Sequence, residues 1–215
     1  MIHEPLIQAK RETSETVFLI GPTESYTYAR AADTALRLAQ VLRRRRWDRL
    51  ACHATDSPQV SLLLFACSAA NCEVCVLNRE SSAVEVAELL HRFKLTSLVT
   101  DSNLKLDDVE VVGIDALLAE ADAADERPRQ NTGEPSLLVL TTGTTGPPKA
   151  ARYVWSDLLA QTRMRPDLAQ TRWLLAYHLN HFAGLMVFLH VLVNRATLVI
   201  PASSDMSDAI AAIEA

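Results

Sequence analysis

Short apolar runs that favour β-strands alternate with longer segments of helical periodicity through the first hundred residues of the chain. A helix that connects two strands returns the chain to the same edge of a sheet, so this alternation produces parallel strands flanked by helices. The pattern therefore predicts an α/β fold made of mainly parallel sheets. The predicted helices span residues 29–42, 60–70 and 83–93, and the predicted strands span residues 50–54, 74–77 and 97–100.

The chain has 215 residues, of which 49% are hydrophobic and 22% charged, and this composition is typical of a globular protein with a large core. Residues 119–136 lose the apolar periodicity and collect turn-forming residues, which predicts a surface connection. It would join a first α/β subdomain at 1–118 to a second segment at 137–215. In that segment we predict strands at 137–140, 173–176 and 197–200, and helices from about residue 156, at 182–193 and at the end.

The charge balance and the absence of long apolar runs exclude several classes of partner. Lys and Arg number 21 against 26 Asp and Glu, and the net charge of −5 repels a nucleic-acid backbone. No run approaches the roughly 20 apolar residues of a membrane span, and residues 1–15 contain no apolar signal core. We therefore predict a cytoplasmic protein with no nucleic-acid partner and no membrane span.

A loop of hydroxyl groups, glycines and one lysine follows the predicted strand at 137–140. Glycines let the backbone turn with its N–H groups towards an anion, hydroxyls add donors, and a lysine supplies a compact positive charge. This chemistry predicts a phosphate-binding loop, although a Gly/Thr-rich hairpin turn with an exposed lysine has the same composition. The residues concerned are Thr141, Thr142, Gly143, Thr144, Thr145, Gly146 and Lys149.

Residues 141–150 read T-T-G-T-T-G-P-P-K-A and resemble the signature loop of the acyl-adenylate-forming enzymes. This superfamily includes acyl- and aryl-CoA synthetases, the adenylation domains of peptide synthetases, and luciferases. Its usual loop is S/T-S-G-T-T-G-x-P-K-G, from which Thr142 and Ala150 depart. Downstream, His181 with Gly184 and Leu185 is similar to the family's H-x-x-G-L segment at the edge of the acyl-binding pocket.

The resemblance implies a two-step reaction. A small-molecule carboxylic acid attacks the α-phosphate of ATP to give an acyl-adenylate and pyrophosphate, and a thiol of CoA or of a carrier then takes the acyl group. In this interpretation the loop holds the phosphates of ATP, Thr144 and Thr145 contact Mg²⁺, and His181 lies near the carboxylate. Which acid is activated is not specified by the residues that match.

The family's later segments, which bind adenine and ribose and supply a C-terminal catalytic lysine, have no match in this sequence. We therefore expect the N-terminal part of an ATP-dependent carboxylic acid ligase. Such a part would be inactive by itself, would need a complementing C-terminal chain, and would self-associate through an exposed sheet. The alternative is a truncated or degenerate module that binds a nucleotide or a partner chain without catalysis.

Overall fold

The computed structural model describes residues 1–123, 133–141, 148–203 and 205–214. These residues form two β-sheets with helices packed between and around them. The strands are β1 (Val17–Ile20), β2 (Ser25–Thr27), β3 (Arg49–His53), β4 (Glu73–Val76), β5 (Ser97–Thr100), β6 (Glu110–Gly113), β7 (Ser136–Thr141), β8 (Lys149–Val154), β9 (Arg172–Leu174) and β10 (Thr197–Val199). The helices are α1 (His3–Glu12), α2 (Tyr28–Arg44), α3 (Pro58–Ala70), α4 (Ala83–Phe93), α5 (Ile114–Asp122), α6 (Trp155–Ala160), α7 (Phe182–Val193) and α8 (Met206–Glu214).

The larger sheet has six strands in the order β6-β5-β3-β4-β7-β8. Every neighbouring pair is parallel except β7 and β8, which form an antiparallel hairpin with six register pairs from Ser136↔Val154 to Thr141↔Lys149. The smaller sheet has the order β2-β1-β10-β9, with parallel β1–β10 and β10–β9 pairs. The predicted α/β class of mainly parallel sheets is confirmed.

Helix α3 shows why the sequence folds into layers rather than into one exposed sheet. Ser57 caps its first turn by accepting the N–H of Val60, and Pro58 occupies the first position, where a missing N–H costs nothing. Almost every residue of the helix is buried, including Phe65, which lies 5.0 Å from Phe188 between ring centres. An all-round apolar helix of this kind is stable only between other elements.

The predicted helices at 29–42, 60–70 and 83–93 correspond to α2, α3 and α4, whereas α6 begins one residue before the predicted start. Strand β8 runs directly through Val154 into this helix, and Val154 offers no side-chain cap. Helix α1 was not predicted, because its buried face contains only Leu6 and Ala9 within an otherwise polar stretch. Helix α5 occupies the beginning of the predicted connection at 119–136 and ends at Asp122.

Both sheets are built from both sides of the predicted connection. Strand β7 pairs with β4, and β10 pairs with β1, so the segments 1–118 and 137–215 contribute strands to each sheet. Residues 124–132 of the connection lie outside the described residues. Within the described part of the chain, no helix combines the length and the apolar character needed to cross a bilayer.

Candidate nucleotide and acid site

The stem of the predicted phosphate loop lies at the edge of the larger sheet where the parallel strands end. Thr141 is the last residue of β7 and Lys149 the first of β8, and the two residues are register partners. The Thr141 hydroxyl donates to the Lys149 carbonyl at 3.3 Å, and both side chains are exposed. The other predicted phosphate and Mg²⁺ contacts lie outside the described residues; they are Thr142, Gly143, Thr144, Thr145 and Gly146.

His181 stands at the N-terminal end of α7, where its backbone is extended and its exposed imidazole does not cap the helix. The next residue, Phe182, packs against Tyr153 of β8 with 5.4 Å between ring centres. Strand β8 begins at Lys149, and α7 begins directly after His181. The strand that follows the phosphate loop therefore packs against the start of the helix that follows His181. The two predicted parts of the site therefore lie on adjoining elements.

A cavity of about 420 Å³ lies between the carboxyl ends of the two sheets. Most of the residues that line it follow β3, β4, β9 and β10. They include apolar side chains such as Leu77 and Ile200 and polar side chains such as Asp56 and His178. The carboxyl ends of parallel strands are where α/β proteins most often bind ligands. Because β7 ends at this same edge, the cavity and the phosphate-loop stem share one side of the larger sheet.

Asp56 connects the two sheets across this cavity. Its side chain, 13% exposed, lies three residues beyond the end of β3, and one of its carboxylate oxygens lies 2.7 Å from Nδ1 of His178. The same carboxylate accepts the backbone N–H of Leu179 at 3.3 and 3.4 Å. Burial raises the pKa of the Asp56 carboxyl, against the opposing effect of its bonds to His178 and Leu179.

Gly184 explains why the H-x-x-G-L pattern has a glycine in this fold. A Cβ atom at this position would lie 2.2 Å from the carbonyl oxygen of His178 and 2.4 Å from that of Tyr177. The backbone of residues 177–178 therefore runs directly against the first turn of α7. This close approach fixes the segment that leads to His181.

His181 and the loop stem were predicted from the sequence as parts of a site, whereas Asp56 was not. An Asp two residues before a Pro reads as part of a helix-starting turn, and its partner His178 lies 122 positions away in the chain. The available signal was its place just beyond a buried strand, where polar groups of parallel sheets converge. Among the described residues, no cluster of three or more His, Cys, Asp and Glu is arranged to hold a metal ion.

The described residues thus combine two mainly parallel sheets, the hairpin of β7 and β8 at the edge of the larger sheet, and the apolar helix α7, which begins directly after His181. The family model described as "AMP-binding enzyme" matches residues 7–215, and the chain belongs to this family.

Curated relatives include the 2-succinylbenzoate–CoA ligase of Bacillus velezensis, 24% identical over 97% of this chain. The same-named ligase of Staphylococcus aureus is 23% identical over 90% of this chain. The match spans 45% and 46% of these two proteins, so the chain covers about half the length of the curated relatives.

Solved structures show the same fold. The inhibitor-bound N-terminal domain of FACL13 from Mycobacterium tuberculosis superposes with a TM-score of 0.85 at 20% identity, covering 99% of this chain and 60% of that one. The o-succinylbenzoate CoA synthetase MenE from Bacillus subtilis, in complex with AMP, gives a TM-score of 0.80 at 24% identity, covering 98% of this chain and 58% of that one. The chain thus shares the fold of the FACL13 N-terminal domain over nearly its whole length.

Proposed function

We propose that this chain is the phosphate- and acid-binding part of an ATP-dependent ligase that activates a small carboxylic acid and passes it to CoA or to a carrier thiol. The observation that carries this proposal is the family match over residues 7–215, which includes the loop from Thr141 to Lys149. The loop stem lies at the end of β7, which pairs with β4, and the residues that follow β4 line the cavity; this arrangement supports the proposal.

In the proposed reaction, a carboxylate oxygen of the acid forms a bond to the α-phosphorus of ATP, and the bond from that phosphorus to the pyrophosphate oxygen breaks. The Lys149 ammonium and the loop hydroxyls bind the β- and γ-phosphates and stabilise the charge that the leaving pyrophosphate gains. His181 is proposed to orient the acid. Thr144 and Thr145 are proposed to contact Mg²⁺, which when bound neutralises phosphate charge.

The test is the exchange of radiolabelled pyrophosphate into ATP, measured on the polypeptide expressed from its complete coding sequence with a panel of carboxylic acids. Removing one charged contact to a transferring phosphate typically costs about 10²–10³-fold in rate, and we expect that loss for Lys149→Ala. The control is Lys105→Ala, which removes an exposed lysine from the segment between β5 and β6 and should leave exchange unchanged.

The alternative, a non-catalytic module, makes a different prediction. Such a module would bind ATP with no pyrophosphate exchange for any acid, even when a complementing C-terminal chain is supplied. A cytoplasmic location and self-association of the chain also remain predictions. Light scattering tests the second of them, and a monodisperse monomer would contradict it.

A further inference from the structure

The segment between β9 and α7 contacts two other parts of the chain, the turn that follows β3 and the first turn of α7. On one side, Asp56 in the turn after β3 contacts the His178 imidazole and accepts the Leu179 N–H. On the other side, the His178 carbonyl accepts the N–H of His181 at 3.0 Å and lies against Gly184 of α7. The residue that Asp56 binds is therefore hydrogen-bonded directly to the backbone of His181.

The His181 backbone also continues this chain of contacts into the helix. Its carbonyl accepts the N–H of Leu185 at 3.1 Å, which is the first turn of α7. Its extended backbone and the absence of a side-chain cap leave the imidazole outside the helix hydrogen bonds. The backbone that carries the imidazole is thus joined to His178, which Asp56 contacts, and the rings of His178 and His181 lie 6.4 Å apart between their centres.

We propose that Asp56 is a positioning residue for His181, which it orients across the cavity through His178 and Leu179. This inference rests on the proposed function, in which His181 lies beside the acid. A carboxylate suits the task because it has two oxygens that accept bonds from an imidazole and a backbone amide together. A nearly buried carboxylate is also costly to leave unpaired, so the segment is held to one geometry.

The proposal is tested on the chain itself by NMR, with the imidazole and backbone amide signals of His181 as readouts. In Asp56→Ala, the Leu179 amide loses its acceptor, and we expect the amides of Leu179 and His181 to exchange with solvent about tenfold faster, with a shifted His181 ring signal. The amide of Leu198 in the core strand β10 should keep its protection. Asp56→Asn retains one acceptor oxygen and should give a smaller change than Asp56→Ala.

The matched control is Asp33→Ala. Asp33 is also a partly buried carboxylate with a basic partner, Lys10, and it lies in α2 away from the cavity. This variant should leave the His181 ring and amide signals at their wild-type positions. If Asp56→Ala also leaves them there, the proposal is overturned.

A second measurement needs no variant, so it stands even if Asp56→Ala does not fold. During an acid titration of the wild-type chain, the amide signal of His181 should include a step that has the midpoint of the Asp56 carboxyl-carbon signal, apart from any step caused by the imidazoles of His178 and His181, which face Asp56. A His181 amide that does not follow Asp56 overturns the proposal.

Neither readout involves ATP, so unaltered His181 signals together with intact pyrophosphate exchange would refute this inference and leave the proposed function standing. Missing exchange with altered His181 signals would refute the function alone.

Discussion

Gly184→Ala adds one methyl group at the point where α7 meets the segment before it. The new Cβ would lie 2.2 Å and 2.4 Å from two backbone carbonyl oxygens, those of His178 and Tyr177. Reaching van der Waals contact requires a shift of about 1 Å, and backbone cannot turn away as a flexible side chain can. Overpacking of this kind costs up to about 3 kcal/mol, and the better helix propensity of Ala returns about 1 kcal/mol.

The net loss is about 2 kcal/mol in the free energy of unfolding, which for a chain of this size lowers Tm by about 4–8 °C. Urea unfolding followed by circular dichroism measures the first quantity and a thermal scan the second. The matched control is Gly113→Ala, where the new Cβ would meet only the Cβ of Ala116 at 4.0 Å. Gly113 is also the N-cap of α5, where Ala is less favourable than Gly, so that variant should lose no more than about 1 kcal/mol. Equal stabilities for the two variants would refute the steric reasoning.

Three further changes test other parts of the structure. Phe65→Ala empties a fully buried site against Phe188 and should cost about 3–5 kcal/mol in urea unfolding, and a cost under about 1 kcal/mol would contradict the packing described. Ser82→Ala removes the capping box of α4 and should cost about 1 kcal/mol, whereas Ser81→Ala should leave the urea midpoint in place. Burial lowers the pKa of His3 from 6.5 to about 4, so the unfolded chain binds a proton that the folded chain does not, and stability falls as pH drops from 6.5 to about 4. His3→Gln should flatten that part of the pH profile, and an unchanged profile would show that His3 does not cause it.

The fold class was predictable because periodicity and composition report local burial. Helices α2, α3 and α4 carry regular apolar positions, and their predicted positions agree closely with the structure. Helix α1 could not be predicted in the same way, because it is held by a few contacts such as the Ile2 N–H to the Ser68 hydroxyl at 3.1 Å. Which strands pair is likewise a tertiary property. No local pattern in the sequence therefore indicates that the segments before and after residues 119–136 contribute strands to the same two sheets.

The candidate site shows the same division. His181 and the loop from Thr141 to Lys149 could be proposed because their residue types follow a contiguous pattern. The pairing of Asp56 with His178 depends on two sheets meeting, and neither residue has a local neighbour that marks it. Sequence patterns therefore identified the groups proposed to contact substrate, and the structure was needed to find what holds one of them in place.

The β1–β10 pair has a consequence for the order in which the chain folds during synthesis. The Thr197 hydroxyl bonds to the Val17 carbonyl, 180 positions away, and the entropy of closing such a loop makes this pairing late and slow. All strands of the larger sheet have been synthesised by residue 154, whereas β10 follows only at 197–199, a few seconds later at usual rates of translation. During that interval β1 has only the short β2 beside it. Its other edge is open, and a neighbouring nascent chain can pair with it. Strand β1 is therefore the strand most exposed to misassembly before the chain is released from the ribosome.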